Sequence, residues 1–532
     1  MMAQDLVQQL IEARAGVSPE SIAIRHRQDA ISYGALSAAI QQFAGALGAL
    51  GIARSERVAV YLEKRPETVI AMFGAAAAGA VFVPVNPFLR SRQVVHIIKD
   101  CNVRVLVTSA SRLSGLADVL ADCPDLRAVI QVDGNADTEM ADGVSVVDWP
   151  AAMATGAPPQ GLRGTIDADM AAIFYTSGST GSPKGVVLSH RNLVAGATSV
   201  SSYLGNVPED RILSVLPLSF DAGFSQLTTA FRVGAEVVLL NYLTPRDVVQ
   251  ACAAHRITGL TGVPPLWIQL AQLDWPTDAT AGIRYFANTG GRMPRTTLSR
   301  LRTLMPHAKP YLMYGLTEAF RSTYLDPNEV DRRPDSIGKA IPNAEILVVG
   351  ADGRLCGPGE EGELVHRGAL VSLGYWNDPE RTAARFRPVP AAISGLCLPE
   401  VAVWSGDMVR MDEDGFLYFV GRNDDMIKTS GYRVSPTEIE EVVYASGLVA
   451  EAAALGLPHP VLGQAIAVVA SAPADGRLEI EALMDHCRRE LPLYMVPTLI
   501  VERAALPRTP NGKMDRKQMA LELNDPFMRA AE

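Results

Sequence analysis

Cysteine is scarce and scattered. Six residues, Cys101, Cys123, Cys252, Cys356, Cys397 and Cys487, are spread over 532 positions with no CxxC pair. That spacing excludes a disulfide framework and a zinc site of the usual ligand pattern, leaving buried free thiols as the expectation. Positive charge is not in excess: the formal net charge is −10, which gives no general case for nucleic acid or an anionic membrane surface. Long apolar runs are also missing. The longest, "VIAMFGAAAAGAVFVPV" from Val69, is broken by Gly74, Gly79 and Pro84, and is shorter than the roughly 20 residues of a membrane span. The N-terminal "MMAQDLVQQLIEARAG" has no basic region followed by an apolar core, so it reads as a short amphipathic helix rather than a leader. The expected location is the cytoplasm. No low-complexity segment or internal repeat stands out.

What is present is ordinary globular chemistry, 48% hydrophobic and 20% charged, in a chain long enough for more than one domain. Strand and helix patterns alternate over the first two-thirds. "RVAVYLE" from Arg57, "AVFVPV" from Ala80 and "VRVLVTS" from Val103 read as strands, with helices from Pro66 and through "RQVVHIIKDCN" between them. The alternation returns at "AEVVLLN", "PRDVVQACAAHR" and "ITGLTGVP". Such alternation predicts an α/β fold of parallel sheets covered by helices. After about Ser336, "AEILVVGADGRLCGPGEEGELVHRG" reads as short strands joined by Asp-Gly and Pro-Gly turns, which predicts a β-rich subdomain. A small α+β unit follows, with helices at "SPTEIEEVVYAS" and "IEALMDHCRREL" around a strand at "QAIAVVAS".

One stretch concentrates chemistry. In "IFYTSGSTGSPKGVVLSH", Ile173 to His190, two apolar strand-like ends flank Thr176, Ser177, Gly178, Ser179, Thr180, Gly181 and Lys184. Glycines let backbone N–H groups converge, hydroxyls add donors and the lysine adds charge, a composition suited to phosphate oxygens. A surface hairpin is the alternative. The stretch is not a Walker A loop, because Pro183 stands where that pattern needs its second glycine and Gly185 follows Lys184.

Further motifs follow in order: "NTGGRMP", "MYGLTEA" (Met313 to Ala319), "VWSGDMVR" (Val403 to Arg410), "GRNDDMIKTSGYRVSPTEIEE" from Gly421, and "TPNGKMDR" (Thr509 to Arg516). In this order and spacing they resemble the AMP-forming adenylating superfamily, which comprises acyl-CoA synthetases, adenylation domains of non-ribosomal peptide synthesis, and beetle luciferases. The resemblance runs from about Ser18 to Lys517. The stretch around "MYGLTEAFRSTYL" is also similar to stand-alone bacterial acyl-CoA ligases, including the exopolysaccharide (exosortase)-associated kind.

The resemblance implies an enzyme in which a carboxylate attacks the α-phosphorus of ATP, releases pyrophosphate and forms an acyl adenylate. A thiol, of CoA or of a carrier protein's phosphopantetheine, then takes the acyl group. It implies an N-terminal ATP- and acid-binding domain over 1–423 and a mobile C-terminal lid over 424–532, hinged at Asp424. By the same resemblance, Thr176 to Gly181 and Lys184 embrace the β- and γ-phosphates, Tyr314 packs on adenine, Thr317 donates to the α-phosphate and Glu318 holds Mg²⁺. Gly290 and Gly291 admit adenine to the backbone, and Asp407 and Arg422 hold the ribose hydroxyls. Lys513 reaches the α-phosphate and the acid from the lid, and Gly431 borders the pantetheine tunnel. These residue types suit in-line displacement at phosphorus, which needs positioning and charge stabilisation.

The resemblance places the acid pocket at Phe220, Asp221, Ala222, Ser225, Thr261, Thr289, Met313, Arg321 and Ser322. Asp221 resembles the aspartate that meets the α-ammonium in amino-acid-activating members; equally, it caps the following helix. Arg321 either binds a second carboxylate or pairs with Asp326 or Glu329. The sequence therefore supports a carboxylate–thiol ligase acting on a small carboxylic or amino acid, with CoA or a separate carrier protein as acceptor. A non-catalytic nucleotide-binding protein is the alternative from another class.

Overall fold

The computed structural model describes residues 4–134, 143–155, 164–176, 183–389, 400–422, 426–473, 476–508, 514–523 and 526–527, with the backbone alone at Arg422. Among these the strands form three sheets. The first has seven strands in the spatial order Ser145–Asp148, Ala128–Gln131, Val103–Thr108, Arg57–Tyr61, Val81–Pro84, Met170–Thr176 and Lys184–Ser189. All neighbours in it are parallel except the last pair. Their near-continuous Val, Ile and Ala content matches burial on both faces.

The second sheet has a parallel centre of Glu236–Leu239, Arg211–Ser214, Gly259–Gly262, Tyr285–Asn288 and Lys309–Tyr314. It then turns antiparallel through Thr323–Leu325 and Ser336–Ala340, and runs on into Leu417–Arg422, Val401–Met411, Glu361–Gly368 and Ala344–Val349. The β-rich segment expected as a subdomain is thus hydrogen-bonded to the parallel sheet rather than set apart from it. Asp407 and Tyr314 come together because one sheet spans both.

Helices Pro66–Ala77, His190–Leu204 and Asp221–Val233 pack in one core with residues of the first two sheets. Phe73, Phe82, Phe174, Phe224 and Phe231 form its aromatic centre, with ring centroids between 5.1 and 6.3 Å apart. Each fully buried phenyl ring contributes about 1.5–3 kcal/mol. Phe224 and Phe231 lie on the helix that begins at Asp221, so this packing fixes where that carboxylate stands. Gly223 permits the arrangement: a Cβ there would fall 1.9 Å from the Pro217 carbonyl oxygen.

The third sheet, Tyr432–Val434, Ile427–Thr429, Gly463–Ser471, Glu451–His459 and Leu499–Glu502, has its own core with helices Pro436–Ala445 and Ile480–Glu490. Its leading hairpin turns at Ser430 (φ 52°) and Gly431 (φ 83°), the two positive φ values of a two-residue turn matched to strand twist. Cys101, Cys123, Cys252, Cys356 and Cys487 are free thiols. No helix among the described residues is long and apolar enough to cross a membrane.

A buried lysine ties the core to the loop before Asp221. Lys64 is 8% exposed, and its Nζ donates to the carbonyl oxygens of Val215 (3.0 Å) and Leu216 (3.5 Å). Burial pushes its pKa down from 10.5 to about 7. Between those two values the unfolded chain holds a proton that the folded chain has lost, so stability rises with pH by at most about 1.4 kcal/mol per unit. Urea unfolding from pH 7 to 10 should show the wild type gaining on Lys64→Met across this window. Parallel curves would mean that Lys64 stays charged in the fold.

Candidate active site

The site is assembled at the ends of strands from both large sheets. Thr176 and Lys184 face each other across the antiparallel pair that flanks segment 177–182. Ser177, Gly178, Ser179, Thr180 and Gly181 lie outside the described residues, as do Asp424, Lys513 and the side chain of Arg422. Among the described residues Thr176 Oγ1 is buried without a hydrogen-bond partner, a donor that a phosphate oxygen could use.

Lys184 points at Glu318. Its Nζ donates to Glu318 Oε1 (2.8 Å) and to the Tyr375 hydroxyl (2.6 Å), and that hydroxyl donates to the same carboxylate oxygen (2.6 Å). The ammonium also lies 4.0 Å from the Tyr375 ring centroid. Glu318 is 3% exposed. Burial alone would raise its pKa, but Lys184, Arg385 and Arg433 outweigh that and hold the carboxyl well below the usual carboxylate range. Burial lowers the Lys184 pKa against the pull of Glu318. Arg433 belongs to the small third-sheet unit, so that unit contributes charge to Glu318. Tyr375, Arg385 and Arg433 were not foreseen from sequence; "GYWNDPE" and "SGYRV" hold two of them, but nothing in either string ties it to Glu318.

Strand Lys309–Tyr314 ends at the Tyr314 ring, whose hydroxyl donates to Asp407 Oδ2. Asp407 stands opposite Arg422 in the antiparallel register. Gly290, at φ 75°, and Gly291 follow strand Tyr285–Asn288 at its carboxyl end, where ligands of open α/β sheets bind.

On the acid side, Asp221 is the first helical residue. Phe220 occupies the N-cap position and makes no side-chain cap bond. Asp221 is therefore not the N-cap, although its carboxylate still accepts from the Ala222 N–H in the first turn. Its Oδ1 also accepts a hydrogen bond from Thr317 Oγ1 at 3.3 Å. Burial raises the Asp221 pKa, opposed by Arg321 and by this bond. Ala222, Ser225, Thr261, Met313 and Arg321 line one small cavity, joined by Tyr285, which sequence reasoning did not name. Thr289 receives a hydrogen bond from Arg321 Nη1 (2.8 Å), and Ser322 Oγ sits 3.0 Å from His366 Nδ1. Glu329 pairs with Arg332 and Arg333, so it does not partner Arg321, and Asp326 does not either.

The third-sheet hairpin closes over this region. A Cβ on Gly431 would lie 3.1 Å from three Val263 atoms, and the Gly431 carbonyl oxygen lies 3.9 Å from where a Gly290 Cβ would be. Next to the turn, Tyr432 meets the Phe220 ring edge to face at 5.1 Å.

Comparison with known proteins identifies the family. An L-proline--[L-prolyl-carrier protein] ligase of Pseudomonas fluorescens is 31% identical over 514 residues, covering 95% of this chain and 97% of that protein. A ligase of the same name from Streptomyces coelicolor is 32% identical, covering 93% and 92%. The solved o-succinylbenzoate CoA synthetase of Bacillus subtilis superposes with a TM-score of 0.81 at 26% identity, covering 96% of this chain and 97% of that one. Family models for the AMP-binding enzyme and for the AMP-binding enzyme C-terminal domain match residues 11–376 and 438–513. Those spans contain Lys184, Glu318 and Tyr375 in the first and Lys513 in the second, and the chain belongs to the AMP-binding enzyme family.

Proposed function

We propose that this protein activates an α-amino acid as its aminoacyl adenylate and delivers it to the phosphopantetheine thiol of a separate carrier protein. It is an AMP-forming acid–thiol ligase that uses ATP. The observation on which the amino-acid reading rests is the bond from Thr317 to Asp221. It sets a carboxylate with restricted access beside the alcohol that neighbours Glu318, where a substrate ammonium would find its counter-ion. The two relatives named as prolyl-carrier protein ligases point to the same acceptor class.

In this reading the substrate carboxylate attacks the α-phosphorus, an acyl–oxygen–phosphorus link forms, and the bond to pyrophosphate breaks. Lys184 and Thr176 face the outgoing phosphates, Thr317 turns its hydroxyl from Asp221 to the α-phosphate when the substrate ammonium takes that place, and Tyr314 with Asp407 positions the nucleoside. Lys513 brings its charge to the reacting carboxylate from the lid. Glu318 offers one carboxylate, which suits Mg²⁺ bound mainly by phosphate oxygens and water. That ion would supply charge neutralisation at the phosphates. No cluster of three or more acidic, His or Cys ligands exists among the described residues, and a phosphate-bound Mg²⁺ requires none.

A second reading, transfer to CoA, draws on the likeness to the o-succinylbenzoate CoA synthetase. ATP–pyrophosphate exchange with Mg²⁺ across amino acids, their deaminated analogues, fatty acids and aryl acids tests the proposal. Exchange confined to amino acids is expected; exchange confined to simple acids would transfer support to the CoA reading. Asp221→Ala should depress exchange on the preferred amino acid about 100-fold, and on its deaminated analogue less than tenfold. Equal losses would remove the ammonium role.

A further inference from the structure

The acid cavity holds a positive charge that no described residue neutralises by contact. Arg321 is 2% exposed. Among the described residues its side chain makes one hydrogen bond, to Thr289 Oγ1, its buried Nε has no partner, and no carboxylate lies within ion-pair distance. Arg332 and Arg333, by contrast, are both paired to Glu329. A guanidinium carries five N–H donors, and a buried one left without an anion is costly. The backbone is bent to put it there. Phe320 has φ 57° and ψ −50°, and the Arg321 N–H donates to Ala319 O at 2.5 Å, a classic γ-turn geometry that is rare for a non-glycine residue. The Phe320 ring occupies the space over Gly196, where a Cβ would fall 2.4 Å from it.

The small cavity around Arg321 has one polar side, made by Ser225, Gln226, Thr229 and Thr261, and an apolar side that includes Leu204 and Ile212, so it suits a short side chain with a polar end. Asp221 stands on the same side of the site, close enough to feel the charge of Arg321 yet not bonded to it. The acid side of the site therefore carries two opposite charges that attract but share no hydrogen bond. An ammonium answers Asp221 and an anion answers Arg321, while the reacting carboxylate faces the α-phosphorus beside Thr317.

We infer that the substrate is an α-amino acid whose short side chain ends in a carboxylate, of the aspartate or glutamate type, held by Arg321. This rests on the amino-acid reading above and goes further by naming the side chain. It also sets this chain apart from relatives named for proline.

The test is calorimetric binding of non-hydrolysable acyl-sulfamoyl-adenosines to the full chain with Mg²⁺. Six acyl groups form the set: aspartyl, glutamyl, asparaginyl and prolyl, with succinyl and butyryl as partners lacking the ammonium. An aspartyl or glutamyl analogue should bind about 100-fold more tightly than the asparaginyl or prolyl one. Arg321→Met should erase that ratio, and Arg321→Lys should retain part of it. The wild-type ratios alone decide the matter if a variant misfolds. Succinyl outbinding butyryl, with no gain from the ammonium, would uphold the role of Arg321 while sinking the amino-acid reading. Asparaginyl or prolyl analogues binding as tightly as the acidic ones would overturn the inference and leave Arg321 as an internal balance for Asp221.

Discussion

Glu318→Gln should lower acid-dependent pyrophosphate exchange by about a thousandfold, in the range seen when one transition-state electrostatic group is removed. Glutamine keeps the shape and still accepts from Lys184 and Tyr375, so the loss isolates the charge. The charge matters twice. It is the proposed carboxylate for Mg²⁺, and it is the anion that Lys184, Arg385 and Arg433 surround. Removing one partner of a buried ion pair costs about 3–5 kcal/mol because the other charge stays buried, so the variant should also melt earlier. The pH dependence has a definite sign. The folded pKa lies below the ordinary 4.5, so the carboxylate contributes stability above pH 4.5, lost only as pH falls through the folded value. The difference in stability between wild type and variant should therefore be level from pH 6 to 8 and shrink only in acid. Exchange within tenfold of wild type would remove Glu318 from the chemistry and leave it a structural anion.

The two residues that bond Glu318 show what the sequence could and could not disclose. Lys184 was legible because it closes a contiguous run of glycines and hydroxyls. Tyr375, 57 positions away from Glu318, was not, because its place depends on sheet pairing that no local pattern encodes. The same holds for Tyr314 with Asp407, 93 positions apart, and Thr317 with Asp221, 96 apart. Their motifs named them singly; only the fold states that they touch. The parallel strands at Arg57, Val81 and Val103 were readable from apolar runs alternating with helices. The continuation of one sheet through Thr323–Leu325 and Ser336–Ala340 was not, since turn signals mark where strands end and not which strand they join. Arg321 was visible as an odd residue for an apolar pocket. Its inward direction follows from the turn at Phe320, a conformation that a phenylalanine in sequence gives no reason to expect.

Gly431→Leu should reduce transfer of a preformed adenylate to a thiol by about a hundredfold or more while leaving pyrophosphate exchange within a few-fold of wild type. Two physical effects act at this position. The turn needs φ 83°, a region where side chains are strained, at a cost of about 1–3 kcal/mol. A Cβ would also press on Val263 Cβ, Cγ1 and Cγ2, each 3.1 Å away, before any further leucine atom is placed. Val263 precedes helix Pro264–Ala271 and abuts Gly290, so displacing it disturbs the wall along which a pantetheine arm is proposed to pass. The contact exists only while the hairpin of the third sheet rests on the large domain. An adenylation step performed with the lid turned elsewhere would not meet it. Gly431→Ala separates the two effects, because alanine incurs the same backbone strain with far less bulk. Transfer rates falling in the order Gly, Ala, Leu would mark steric closure of a passage. Alanine as damaging as leucine would assign the loss to the turn itself, and equal loss of exchange and transfer in both variants would show that the hairpin serves the whole reaction rather than its second half.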